Sequence, residues 1–167
     1  MIYNLYKYPK KIILCILLCQ AYSCGIYSFS GTSIPSEAKT ICVYYIGNSA
    51  ALIQPNLSNT ITESLKTKCL NQSNLSWSET NADIVFSGTI TKYQIDPIAI
   101  QNNEIAAQNR LTIGVEIIYK NRIDESQNFK KVFTDYTDFD SSINFMEEEE
   151  QLNTIIITNL VDDIFNA

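Results

Sequence analysis

Leu111-Thr112-Ile113-Gly114-Val115-Glu116-Ile117-Ile118-Tyr119-Lys120 sets the fold class. Leu111, Ile113, Val115, Ile117 and Tyr119 recur at every second position, while Arg110, Thr112, Glu116 and Lys120 fall mostly between them. Side chains alternate across a strand, so this pattern predicts one dry face and one wet face. Downstream, Asn121 to Asn128 is a polar turn, and Phe129 to Thr137 is expected to pair back as the next strand. Upstream, Ile84 to Tyr93 is a long β-branched run whose apolar phase changes between Ile90 and Tyr93, the mark of a bulge or an edge. The three segments form an antiparallel meander.

Two helices and one more strand complete the pattern. Ile41-Cys42-Val43-Tyr44-Tyr45-Ile46 is strand-like and closes at Gly47-Asn48. After Pro55, Asn56 is placed as an N-cap, and Leu57, Ile61, Leu65 and Cys69 share one helical face, with Lys66 and Lys68 expected near the C-terminal end of the helix dipole. Near the C-terminus, Glu147 to Glu150 suit a helix start, and Leu152, Ile155, Ile156, Leu160, Ile164 and Phe165 form an apolar stripe. Thr154 to Thr158 is β-branched, yet the stripe favours helix. The expectation is an α+β two-layer sandwich of order β-α-β-β-β-α. A mostly antiparallel four-stranded sheet carries both helices on one face, which buries both apolar stripes.

Composition narrows the function. The chain has 167 residues, 46% hydrophobic and 18% charged, which suits one ordinary globular domain without internal repeats. It contains no histidine. That removes Ser-His-Asp and Cys-His catalysis, His-ligated zinc and the commonest pH switch. No pair of carboxylates is singled out for acid–base work either, so the reading is non-enzymatic and without a cofactor.

The N-terminus reads as an export signal over residues 1–23. Lys7, Lys10 and Lys11 precede the eight-residue apolar core Ile12 to Cys19, too short to span a bilayer, and Ala21-Tyr22-Ser23 leads into Cys24. Small residues before a Cys are the cleavage pattern of bacterial lipoproteins, so Cys24 is the expected lipid-attachment residue, although Tyr22 fits that pattern poorly. Cys19 competes less well because Leu18 precedes it. Residues 24–38 form the lipidated N-terminus and tether, rich in Ser, Gly and Pro from Ser28 to Glu37. At ~0.8 kcal/mol per buried CH₂, three acyl chains would anchor the protein durably. Gly25 and Ile26 place no acidic residue beside the Cys, which by analogy with lipoprotein sorting points to the periplasmic leaflet of the outer membrane. Residues 39–167 are left as a single sandwich domain.

From Cys24 onward nine Lys/Arg face 18 Asp/Glu, a net charge of −9, which is unsuited to nucleic acid or to anionic headgroups. Cys42 in a strand and Cys69 on a helix face are read as buried free thiols, with a disulfide as the lesser alternative. Asp135, Asp138, Asp140 and Glu147 to Glu150 lack the glycine turn and spacing of a calcium loop, so no metal site is assigned. Most of the ten tyrosines, among them Tyr27, Tyr44, Tyr45, Tyr93, Tyr119 and Tyr136, are read as structural. The polar stretch Gln101 to Asn109 is a loop that could serve as an interaction surface.

Taken in order, Cys24-Gly25-Ile26-Tyr27-Ser28-Phe29-Ser30-Gly31, Asn56 to Lys68, Ile98 to Ile113, Tyr136 to Ser142 and Leu160 to Phe165 resemble the lipopolysaccharide-assembly lipoprotein LptE family in its Bacteroidota form. The likeness runs from Cys24 to Phe165 and lies in the combination. The resemblance implies a sandwich anchored at the outer membrane that plugs the β-barrel LptD, helps it assemble and contacts lipopolysaccharide. Only Cys24 transfers as a functional position. Tyr22, the extra Cys42 and Cys69 and the acidic chain depart from the family pattern; the last weighs against charge-driven lipopolysaccharide binding. The alternative is an envelope lipoprotein that holds a small ligand or lipid between sheet and helices, in a cavity lined by Ile84, Phe86, Val115 and Ile117, without any barrel.

Overall fold

A computed structural model describes Pro35, residues 37–98 and residues 108–167. The signal, Cys24, most of the tether and residues 101–107 of the polar loop lie outside the described residues, while Gln108 and Asn109, read as the end of that loop, open a strand instead. The elements are β1 (Thr40–Val43), β2 (Gly47–Asn48), α1 (Leu57–Gln72), β3 (Ser76–Trp77), β4 (Ile84–Ile98), β5 (Gln108–Asn121), a short 3-10 turn (Glu125–Gln127), β6 (Phe129–Asp140) and α2 (Phe145–Phe165). The α+β class and the two helices agree with the sequence. The sheet does not match in detail: it is mixed and six-stranded, in the order β3-β1-β4-β5-β6, with β2 also pairing β4.

The differences have local causes. β1 lies parallel to both β3 and β4. Parallel neighbours require a crossover, and α1 supplies the one from β1 to β4. The first strand does not run through Ile46. The Ile46 N–H leaves the ladder and donates to Thr62 Oγ1 at 3.0 Å, so Tyr44 and Tyr45 project outward before pairing resumes at Gly47. β3 is two residues long, too short to show an alternation.

The meander is present as expected. β4 and β5 pair from Ile84↔Asn121 to Ile98↔Gln108, with a register shift between Ile90 and Lys92. The shift moves the inward phase from Ile84, Phe86 and Ile90 to Tyr93, which is 3% exposed. β6 extends past the expected Thr137 to Asp140 and pairs with β5 throughout. The start of β4 is pinned to β1 through Asp83, whose Oδ2 accepts from the N–H groups of Lys39 (2.9 Å) and Thr40 (3.0 Å) and from Thr40 Oγ1 (2.9 Å). These bonds, first that from Lys39, hold the Asp83 carboxyl below its usual range. A depressed carboxyl stabilises the fold above its unfolded-state pKa, and that contribution is lost as pH falls through the folded-state value.

Both helices cover one face of the sheet. α1 lies over β1, α2 over β5 and β6, and the helices pack on each other. Leu57, Ile61, Leu65 and Cys69 are buried as their spacing requires, and so are Leu152, Ile156, Leu160, Ile164 and Phe165; Ile155 is instead 43% exposed. The β-branched run stays helical, and the Thr154 and Thr158 hydroxyls donate to the carbonyls of Glu150 and Thr154, at 2.8 Å each. Asn56 precedes α1 but its side chain makes no capping bond. Lys66 and Lys68 are not in the last turn of that helix, which runs on to Gln72. Lys68 instead reaches Asp162 of α2 at 2.6 Å, and Lys66 sits 4.3 Å from the Trp77 ring centroid.

Of the two glycines in the meander, Gly88 has less room for a side chain. A Cβ there would stand 2.5 Å from the Glu116 carbonyl oxygen and 2.9 Å from Ile117 Cδ1. Because the first obstacle is backbone, Gly88→Ala is expected to destabilise the fold by about 1–3 kcal/mol, read as a lower denaturant midpoint with an unchanged m-value.

Candidate interaction surface

The two cysteines among the described residues lie on opposite sides of the sheet. Cys69 belongs to the main core, whereas Cys42, on β1 between the inward Ile41 and Val43, packs with Ala82 and Val85 on the other side, and Trp77 at the sheet edge touches both groups. Both are free buried thiols. Burial pushes the Cys69 thiol up to about 12, which leaves almost no thiolate at neutral pH.

Acidic residues singled out in the sequence separate into local roles. Asp138 pairs with Arg110 through two bonds of 2.7 and 2.9 Å, and the guanidinium lies 3.7 Å from the Tyr136 ring centroid. That pairing holds the Asp138 carboxyl below its usual range. Asp140 accepts from the Ser142 N–H (2.8 Å) and hydroxyl (2.6 Å), and Asp135 accepts from Asn159 Nδ2 at 2.9 Å. Asn144 caps α2 by accepting from the Met146 N–H at 3.3 Å and donates to Glu147 at 2.9 Å. Among the described residues no group of three or more His, Cys, Asp or Glu side chains converges on a metal position.

The open face of the sheet is largely polar, although Val85, Ile118 and Val132 also lie on it. Ser87, Thr89 and Gln94 of β4, Thr112 and Glu116 of β5, and Lys130, Thr134 and Tyr136 of β6 lie on it by register. Lys130 meets Glu116 at 3.0 Å, close to Val132, which is 53% exposed. Of the tyrosines described, Tyr93 and Tyr119 are core residues, while Tyr44, Tyr45 and Tyr136 are at least half exposed. The Tyr93 hydroxyl meets Glu149 Oε1 at 2.7 Å and Asn153 Oδ1 at 3.2 Å, which ties the distal half of β4 to α2.

On the helix side, a groove of about 460 Å³ opens between the N-terminal turns of α1 and α2, walled by Gln54, Leu57, Met146, Glu149, Glu150 and Ile157. Sequence reading missed it, because its walls come from segments some ninety residues apart. A second groove of about 480 Å³ follows the helix pair around Lys68 and Asp162. Neither touches Ile84, Phe86, Val115 or Ile117, all at most 4% exposed and packed in one cluster. The positions that the ligand-carrier alternative required as a cavity lining are packed core.

The profile of the lipopolysaccharide-assembly LptE family matches residues 38–167. The chain belongs to the LptE family. In kind it is therefore a lipopolysaccharide-assembly lipoprotein. None of the curated proteins compared is detectably similar in sequence. Among solved structures, a minor lipoprotein from Acinetobacter baumannii superposes with a TM-score of 0.50 at 15% identity, over 77% of this chain and 90% of that one. A Xanthomonas campestris protein of family DUF330 reaches a TM-score of 0.56 at 9% identity, over 77% and 82%. At these identities the likeness concerns the fold. Within the described part of this LptE chain, the geometry offers surfaces for binding: a polar sheet face, an acidic-rimmed groove and exposed tyrosines.

Proposed function

We propose that this LptE protein is the lipid-anchored, non-enzymatic partner of the outer-membrane barrel LptD, seated in its lumen and supporting its assembly for lipopolysaccharide export. The observation that carries the reading is the family match over the whole sandwich, residues 38–167. The fold suits a lumenal plug, because a rigid two-layer body presents a polar sheet face and the inner walls of large transmembrane barrels are polar. Residues 1–23 act as the signal, Cys24 takes the lipid, and residues 24–38 tether the sandwich to the periplasmic leaflet. The net charge of −9 after the signal weighs against charge-driven contact with lipopolysaccharide.

Depletion tests this role. Loss of the protein is expected to leave the barrel without its folded, heat-modifiable gel mobility and newly made lipopolysaccharide off the cell surface. Normal barrel mobility and normal surface lipopolysaccharide after full depletion would refute it.

A further inference from the structure

The two edges of the sheet differ. One is β3, two residues long, and the other is β6, which runs unbroken from Phe129 to Asp140. Among the described residues only β5 pairs with β6, in one constant register, so the outer row of β6 backbone N–H and C=O groups has no strand beside it. Such a row is a template for another strand. Several devices that deter pairing are missing, since β6 is long, contains no Pro and carries no bulge. Its charges are not of one sign either: Lys130 and Lys131 stand at one end, and Asp135, Asp138 and Asp140 toward the other.

That arrangement is self-complementary. Antiparallel pairing sets side chains of one face directly opposite each other. Two copies related by a two-fold axis through Thr134 would set Lys130 opposite Asp138, Val132 opposite Tyr136, and Thr134 opposite its own copy, all on the open face. On the helix face Phe129 would meet Phe139, and Lys131 would lie diagonal to Asp135. Val132 and Tyr136, 53% and 50% exposed, would cover each other. Each copy already pairs Arg110 with Asp138 and Lys130 with Glu116. Lys130 of the second copy would extend the first pair into a row of alternating sign, Arg110, Asp138, Lys130. An axis through Asp135 instead would set two aspartates face to face, which is destabilising. An axis through Phe133 would shorten the ladder and separate Val132 from Tyr136.

We propose that the β6 edge is a self-association surface, on which a second copy of this chain docks antiparallel about Thr134 and joins two sheets into one. The inference goes beyond the barrel reading and concerns the lipoprotein present in excess of any barrel. Its test uses the full-length protein, expressed well above the barrel's copy number and carrying single Cys substitutions. Whole membranes are oxidised with copper phenanthroline and resolved on non-reducing gels. Directly opposite residues of an antiparallel pair hold their Cα atoms about 4.5–5.5 Å apart, within the reach of a disulfide. Thr134→Cys should therefore give a linked dimer at least tenfold above Gln94→Cys, an exposed open-face position on β4 away from the edge. Val132→Cys and Tyr136→Cys should each stay monomeric, because like positions would lie roughly 13 Å apart along the strands. Co-expressed, those two variants should form a mixed dimer. Added to Thr134→Cys, Lys130→Glu sets like charges opposite each other and should lower the yield at least fivefold, whereas Lys130→Arg should not. Lys130 is exposed, so neither change disturbs the core.

Three results would overturn the self-association surface. One is a Thr134→Cys dimer within twofold of the Gln94→Cys background. Another is a yield unchanged within twofold by Lys130→Glu. The third is linkage of Thr134→Cys to a different protein in place of a second copy, which would give the edge to another partner. Each leaves the barrel reading intact, because that reading stands on what co-purifies with the unaltered protein.

Discussion

Cys24→Ala is expected to release the protein from the membrane and leave its fold intact. If the thiol of Cys24 carries acyl chains at ~0.8 kcal/mol per buried CH₂, their loss abolishes partitioning into the bilayer. The sandwich begins well after this position, since the first described strand starts at Thr40. The measurement is fractionation of protein expressed well above the copy number of any barrel, so that barrel binding does not hold the excess. The unaltered protein should pellet with outer membranes, and the variant should remain soluble with an unchanged circular dichroism spectrum. A variant that still pellets quantitatively would refute the lipid as the sole tether.

The largest expected effect on stability is at Leu160. It is fully buried on α2 within the cluster that joins both helices to the sheet. Truncation to Ala removes three carbons from a close-packed site that cannot collapse around the void. Leu160→Ala is therefore expected to cost about 3 kcal/mol, or roughly 10 °C in melting temperature for a domain of this size. A loss below about 1 kcal/mol would mean that α2 packs far more loosely than its burial indicates. Ile155→Ala on the exposed side of the same helix is the control, and it should change stability by no more than roughly 0.5 kcal/mol.

The parts of this molecule that were legible in its sequence are those whose cause is local. The alternation from Leu111 to Tyr119 specified a strand buried on one face, and the phase change after Ile90 located the bulge. The stripe from Leu152 to Phe165 identified the last helix despite its β-branched centre, because burial of one face outweighs a modest propensity deficit. What was not legible depends on distant partners. The break at Tyr44 follows from a hydroxyl sixteen residues from Ile46, that of Thr62, which captures the Ile46 N–H. β3 exists because Ser76 and Trp77 find β1, and two residues are too short a run to show a strand pattern. The parallel placement of β1 beside β4 follows from the crossover through α1.

The candidate site divides in the same way. Cys24 is a motif-level reading, set by the residues on either side of it. The groove at the helix starts has no local signature: Gln54 and Leu57 meet Met146 and Glu149 only through the fold. Glu149 looked like a helix-start acid in sequence, and in the structure it also binds the Tyr93 hydroxyl. Cys42 and Cys69 show the reverse case. Their types left both free thiols and a disulfide open, and their placement on opposite faces of the sheet decides for thiols.

The central claim is occupancy of a barrel, and gentle detergent extraction of the tagged protein from outer membranes tests it most directly. Mass spectrometry of the purified complex should find one large β-barrel, stoichiometric with this protein and retained through a high-salt wash. Retention in salt matters because exposed charge pairs alone would be screened. Recovery of the protein alone, or with a small molecule in place of a barrel, would contradict the account and leave the family fold without the plug function.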